Sequence, residues 1–278
     1  MFVRHTVADI EVGVERLNKA LDDQDFEKFA SWLSDLNMSS HHNDIISKRL
    51  SGTGRWFLQS TTYLHWLDSQ NDILYCPGMP GAGKTMMAAA VVEDLRNRFD
   101  SDPSVGVAFL YCSYKRQQEQ NVDSYFAELL VQLLQGLDTV PQYLQTLYER
   151  HKRLKSKPGI DELGVAIKSV CASYSNIYLV IDALDEYSKM PGALTELLEE
   201  IVILQSLHNV NFLATSRPNI SGARQIFNGK PKIEIRAQEE DIRKVLDSEM
   251  SHMPSCIARD PKLQAMVKEE ITKAIDGM

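Results

Sequence analysis

An α/β fold with a parallel sheet is predicted by three observations in this sequence. From Asn71 onward, short apolar runs alternate with longer segments of helical periodicity. Alternation of that kind sets strands side by side with helices on both faces. The apolar runs are nearly continuous, as strands buried on both faces require. A glycine-rich stretch, "GMPGAGKT" from Gly78 to Thr85, joins the first run to the first helix of this region.

The strand runs are "DILYCP", "VGVAFLYCSY", "IYLVID", "VNFLAT" and the short "KIEIR". They predict a parallel sheet covered by helices on both faces. Helical periodicity covers Lys84 to about Phe99 and then "VDSYFAELLVQLLQGL", "PQYLQTLYERHKRL", "IDELGVAIKSVCASY" and "LTELLEEIVILQSL". Ahead of the sheet, Val7, Ile10, Val14, Leu17 and Leu21 step by threes and fours, and Phe26, Phe29, Trp32 and Leu33 continue the pattern. The stripe is too short to argue a coiled coil and is expected to pack on the following domain. From Glu239 the pattern is helical only, in "EEDIRKVLDSEM" and "LQAMVKEEITKAI". The expected organisation is an N-terminal helical segment (1–45), a core (46–228) and a partial helical subdomain (229–278).

Composition narrows the class. With 44% hydrophobic and 24% charged residues the chain can bury a sizeable core. Its net charge of −8 gives no pull toward nucleic acid or anionic lipid. The basic run from Glu149 to Gly159 reads as a solvated helix end before a Pro-Gly stop. The four cysteines are far apart with no CxxC pair, which favours a reducing compartment. "SSHHND" and "SHMPSC" lack the four ligands of a structural zinc site and read as surface or helix-cap residues. No apolar run approaches the ~18–20 residues needed to span a bilayer. A soluble cytoplasmic protein with neither membrane nor nucleic acid among its partners is expected.

The chemistry begins at "GMPGAGKT", which fits G-x-x-x-x-G-K-[ST] at every fixed position and lies between a strand and a helix. Gly78, Gly81 and Gly83 let the main chain wrap closely and aim amides at phosphate oxygens. Met79, Pro80, Ala82 and Met86 complete the stretch around the nucleotide, and the helix N-terminus adds partial positive charge. Lys84 is expected to reach the β- and γ-phosphates, and Thr85 to place its hydroxyl on Mg²⁺. In "IYLVIDALDEYS" an apolar strand ends in an acid, so Asp182 is expected to hold Mg²⁺ directly or through water. Many P-loop ATPases put the water-polarising carboxylate immediately after that Asp. Here the neighbour is Ala183, and acids return at Asp185 and Glu186. Asp185 is the candidate for orienting the attacking water; Glu186 is expected to support it or to pair with a positive group. In "NFLATSRP", Arg217 follows another apolar strand, where a guanidinium can report a γ-phosphate through charge-assisted hydrogen bonds.

"GMPGAGKT", "LVIDALDE" and "FLATSRP" together resemble a NACHT-type P-loop NTPase of the STAND class, with Asp182-Ala183-Leu184-Asp185 fitting the acid spacing of NACHT domains. The stretch from Trp32 to Leu67, followed by "LYCPGMPGAGKT", is similar to the fungal nephrocystin-like N-terminal domains that precede ankyrin, WD40 or similar repeats. The resemblance covers roughly residues 26 to 250. It implies a three-layer sandwich around a five-stranded parallel sheet in the order 5-1-4-3-2, a nucleotide-dependent oligomerisation switch, and a "GTGRW" segment (Gly52–Trp56) near the nucleotide. For Trp56 and Trp66, core packing is the more frequent role of the residue type. The family's winged-helix domain and repeats are not seen before Met278, so the chain reads as truncated relative to a complete switch.

The function expected is a slow NTPase switch in recognition or defence signalling, with Mg²⁺ and ATP, or GTP, as cofactors and a homo-oligomer through the NTPase domain. ATP is the default because no NKxD sequence specifies guanine. Slow turnover follows from the lack of a second arginine within the core. Two other readings stay open: an interaction module that keeps nucleotide as a structural cofactor, and a small-molecule kinase, for which "YKRQQEQNVD" makes a poor lid.

Overall fold

The computed structural model describes residues 26–116, 120–137, 140–188, 190–220, 222–250 and 253–276. The expected stripe from Val7 to Leu21 lies outside these residues. Four strands, β1 (Ile73–Pro77), β2 (Val105–Tyr111), β3 (Asn176–Asp182) and β4 (Val210–Ser216), form a parallel sheet in the order β1-β4-β3-β2. Ile73 lies opposite Phe212, Val210 opposite Ile177, and Asn176 opposite Val105. The central strands β3 and β4 are buried nearly throughout, as their continuous apolar runs predict.

The chain opens with α1 (26–33), α2 (Met38–Ile46), α3 (Arg55–Leu58) and α4 (Thr61–Asp68). Between the strands lie α5 (Lys84–Phe99), α6 (Val122–Gln135), α7 (Gln142–Leu154), α8 (Ile160–Cys171) and α9 (Ala193–Leu207). After β4 come α10 (Arg224–Phe227), α11 (Glu239–Glu249), α12 (Ser255–Ala258) and α13 (Pro261–Asp276). Helix α5 packs on β2, β3 and β4 and carries α2 on its back. Its buried Ala88, Ala89 and Ala90 let the helix approach the sheet closely. On the other face α6 lies over β2 with α8 behind it, and α9 lies over β4. At Gly106 of β2 an added Cβ would stand 2.9 Å from Leu133 of α6, so this strand's lack of a side chain sets how near α6 sits.

Two edges needed more than strand pairing. On β2 the main chain of Phe109 faces outward, and the Gln132 amide meets it twice, accepting from its N–H and donating to its carbonyl, each at 2.9 Å. At the β1 edge the expected fifth strand, "KIEIR", is not a full strand. Tyr75 N–H donates to Pro231 O (3.0 Å), Ile233 N–H to Tyr75 O (3.0 Å) and Ile235 N–H to Pro77 O (2.7 Å). Only one residue pair, Tyr75 with Lys232, makes a parallel bridge. The segment takes the outer position that the order 5-1-4-3-2 implies, but it starts on a proline without an N–H and is exposed at Lys232, Glu234 and Arg236. The result is a four-stranded sheet with an extended flank.

The C-terminal helices have their own small core, with Ile242, Leu246 and Met250 buried against Met253, Val267 and Ile271. Two expectations about polar stretches need correction. In "SSHHND", His42 is fully buried rather than a surface or cap residue, its Nδ1 2.7 Å from the Tyr111 hydroxyl and its Nε2 2.9 Å from Glu93. The cap role falls to Asn37, whose side chain accepts from Ser40 N–H. In the basic run, His151 is buried and, with Arg150, pairs with Glu162, so the run is only partly a solvated helix end. Among the described residues no helix is long and apolar enough to cross a membrane, and Cys76, Cys112 and Cys171 are buried and unpaired.

Candidate nucleotide-binding site

Strand β1 ends at Pro77, and the loop that follows is built from main chain. Gly78 N–H donates to Ser216 O across to β4 (3.0 Å). A Cβ on Gly78 would stand 2.6 Å from Ile235 O, so glycine here allows the outer flank to close against the loop. Gly81 and Gly83 meet a different need: their φ values of 82° and 88° are left-handed, a region costly to residues with a Cβ. Gly83 is also the N-cap of α5 and has no side chain to satisfy the first helical amides, which leaves them to an anion. Lys84 Nζ donates to Gly78 O (2.9 Å) and Met79 O (3.0 Å), so the ammonium lies along the loop's inner side.

Opposite the loop, Asp182 ends β3 with only 2% of its surface exposed. Burial pushes its carboxyl above the ordinary carboxylate range; hydrogen bonds from Thr215 and Thr85 and the charge of Lys84 pull the other way. The Thr85 contact joins the phosphate loop to the acid strand. A threonine hydroxyl and a carboxylate are hard oxygen donors, a set that suits Mg²⁺ shared with phosphate oxygens and water. The next residue, Ala183, has φ 55° and ψ 47°, and this left-handed step turns the chain into a 3-10 turn over Leu184–Glu186.

That turn separates the two following acids. Asp185 points to β4, where its Oδ1 accepts from Arg217 N–H (2.9 Å) and its Oδ2 lies 3.0 Å from Arg217 Nε. Glu186 turns toward the connection after β2 and accepts from Tyr114 N–H at 3.2 Å. The structure therefore brings Asp182, Asp185 and Arg217 together with Gly78–Met86 at the C-terminal end of the sheet. Glu186, expected to support Asp185 or to pair with a cation, holds a main-chain amide of the neighbouring loop.

Three features of this end were missed by sequence reasoning. Thr215 is a fully buried hydroxyl between Asp182 and the Ala183 amide. Tyr75 OH reaches Ser216 Oγ (2.9 Å) and Arg217 O (3.2 Å), bracing the segment that carries the arginine. A mainly apolar cleft of about 420 Å³ opens beside Gly81–Gly83, between Gly54, Trp56 and α11. Its two walls are joined: Gly54 N–H donates to Asp241 (2.8 Å) and Lys244 to Gly52 O (3.3 Å). "GTGRW" thus flanks the phosphate loop as the resemblance implies. Trp56 lines the cleft, whereas Trp66 is fully buried in the core. A polar residue inside an otherwise apolar run, as in "FLATSRP", was the one available sign of Thr215.

Comparison with known proteins decides the family. The sequence model described as "Nephrocystin 3, N-terminal" matches residues 52–217, more than half of the chain. The chain belongs to this family. It is a NACHT-type P-loop NTPase with an α/β parallel-sheet fold. The vegetative incompatibility protein HET-E-1 of Podospora anserina is 22% identical over 253 residues, which is 84% of this chain and 17% of that protein. The nephrocystin-type chain thus spans under a fifth of that relative's length. Among solved structures, the Walker-type ATPase Paby2304 of Pyrococcus abyssi is 11% identical with a TM-score of 0.49, covering 83% of this chain and 76% of its own. AMPPCP-bound DnaA from Aquifex aeolicus is 16% identical with a TM-score of 0.40, covering 75% and 54%. Overlaps this loose carry no argument about function.

Proposed function

We propose that this nephrocystin-type chain binds Mg²⁺–ATP in preference to GTP, hydrolyses it slowly, and uses occupancy of the site to switch assembly in intracellular recognition or defence signalling. The single observation behind this reading is the meeting of three segments at one sheet end: Thr85 of the phosphate loop beside buried Asp182, with Asp185 on the next turn bonded to Arg217. In this reading the amides of Gly78–Met86 and the Lys84 ammonium bind the phosphates, and Thr85 and Asp182 hold Mg²⁺, which neutralises charge developing on the phosphates. Asp185 orients the attacking water and Arg217 engages the γ-phosphate. The base lies in the apolar cleft beside Trp56, whose walls include α11, so occupancy bears on where the helical unit sits.

Slow turnover fits the site. The carboxylate assigned to the water is engaged twice by Arg217, and freeing it requires the guanidinium to exchange one anion for another. The same pairing favours a second reading, in which nucleotide stabilises an interaction module without turnover. A role in recognition or defence draws on the printed name of the Podospora relative. The deciding experiment is mass analysis of the nucleotide that copurifies, with sizing in ADP and in a non-hydrolysable ATP analogue. Bound adenine nucleotide and an assembly state that differs between the two support the switch. An assembly state indifferent to nucleotide leaves the module, and phosphate transfer to an acceptor would identify a kinase.

A further inference from the structure

We infer that Thr215 is a positioning residue for the metal site: its hydroxyl fixes both the Asp182 carboxylate and the chain turn that aims Asp185, so that removing one oxygen weakens Mg²⁺ coupling without touching the nucleotide. This rests on the reading of Asp182 as the metal-holding acid.

The geometry leaves the hydroxyl no spare role. Thr215 Oγ1 donates to Asp182 Oδ1 at 2.5 Å and accepts from Ala183 N–H at 2.9 Å. One atom therefore clamps two consecutive groups of β3, the last side chain of the strand and the first amide beyond it. Strand pairing places it there, since Ile181 lies opposite Ala214 and the next position on each strand is Asp182 and Thr215. Thr215 is also paired on its other side with Cys76 of β1, so its main chain is held from both flanks and it is fully buried.

The two clamped groups need holding for different reasons. The Asp182 carboxylate has 2% exposure, and no salt bridge to it occurs among the described residues, so the hydrogen bond from Thr215 is what fixes its rotamer, with the Thr85 hydroxyl beside it. Thr85 is the other candidate metal ligand and is exposed, which leaves Thr215 as the fixed one of the two. Ala183 occupies a left-handed conformation that is costly to a residue with a Cβ. Its amide bond to Thr215 helps retain that turn, and the turn carries Asp185 to Arg217. A buried hydroxyl serving as donor and acceptor at once is replaced badly by a methyl, because both partners then lose their bonds inside the protein.

The test compares Thr215→Val, which keeps shape and loses the hydroxyl, with Thr215→Ser, which keeps the hydroxyl, and with Asp182→Asn. Calorimetric titration with ADP and with ATP is run in EDTA and over a range of MgCl₂. Thr215→Val is expected to need about tenfold more Mg²⁺ to reach the same nucleotide affinity, with affinity in EDTA within about twofold of wild type. Thr215→Ser is expected to restore the wild-type Mg²⁺ requirement, which a packing role would not produce. In the Asp182→Asn background, Thr215→Val should add nothing to the Mg²⁺ requirement. A wild-type requirement in Thr215→Val alongside a raised one in Asp182→Asn overturns the Thr215 assignment and leaves the metal site standing. A wild-type requirement in Asp182→Asn overturns the metal reading itself. If Thr215→Val does not melt cooperatively, Thr215→Ser against Thr215→Ala supplies the same comparison, and equal Mg²⁺ requirements in those two also overturn the assignment.

Discussion

The loop from Gly78 to Thr85 offers a phosphate chain main-chain amides and the Lys84 ammonium, and most of the segment is exposed. In the corner from Asp182 to Arg217 they are side chains, and Asp182, Thr215 and Ser216 are buried. The loop is shaped by what glycine permits: two left-handed φ values and one close approach to the outer flank. The corner is shaped by bonds from Thr215 to Asp182 and to the Ala183 amide, with Asp185 tied separately to Arg217. Binding phosphate needs a backbone path and one cation. Placing a metal and a water needs side chains whose rotamers are set by neighbours from other strands.

That contrast can be broken most directly at Lys84, the cation of the loop. Lys84→Ala is expected to lower Mg²⁺–nucleotide affinity by at least about 100-fold, since charge-assisted bonds to the phosphates disappear. Wild-type affinity by calorimetry would remove the site assignment. Next in size is Gly78→Ala, where the new Cβ meets the Ile235 carbonyl at 2.6 Å. Urea denaturation should show a loss of about 1–3 kcal/mol, the range for forced overpacking. A loss below that range would mean that residues 231–235 are held more loosely than their three bonds to β1 suggest.

The corner responds differently. Asp185→Asn should leave nucleotide affinity unchanged and slow single-turnover hydrolysis by about 10²-fold, the usual scale for a water-orienting carboxylate. Unchanged hydrolysis would move the role to Glu186 or elsewhere. The smallest effect concerns the buried imidazole under the sheet. Burial, chiefly, holds His42 below its ordinary 6.5, with the Arg96 charge adding to this and the Glu93 bond opposing it. Between the folded and unfolded values the unfolded chain binds more protons, so stability falls as pH drops through 6.5 toward the folded value. His41, His151 and His208 shift in the same direction, so His42→Gln should flatten this acid loss in part. Thermal melts from pH 7.5 to 5 check it, and an unchanged slope would show that burial does not lower the His42 value in the folded protein.

Much of the fold was legible because its signals are local. The helix expected from Lys84 to Phe99 has those bounds, and the apolar runs ending in Asp182 and Thr215 became the two central strands. "KIEIR" reads as a strand by composition but pairs on one side only, after a proline, and competes with water for its outer groups. His42 in "SSHHND" looked like surface, yet α2 lies across α5 and carries it into contact with Tyr111 of β2. Both outcomes depend on which element lies next to which.

By itself the sequence determined the residues of the phosphate loop, the acid at the end of β3 and the arginine after β4, because each sits at a fixed offset from an apolar strand. Only the tertiary structure decided what those residues do to one another. It put Arg217 on Asp185, sent Glu186 to the Tyr114 amide, and set a threonine from β4 between Asp182 and the next turn. The physical reason is strand order. β1 and β3 are separated in the sheet by β4, the last of the strands in sequence, so the contacts between loop and corner come from residues more than 90 positions apart or from the strand between them.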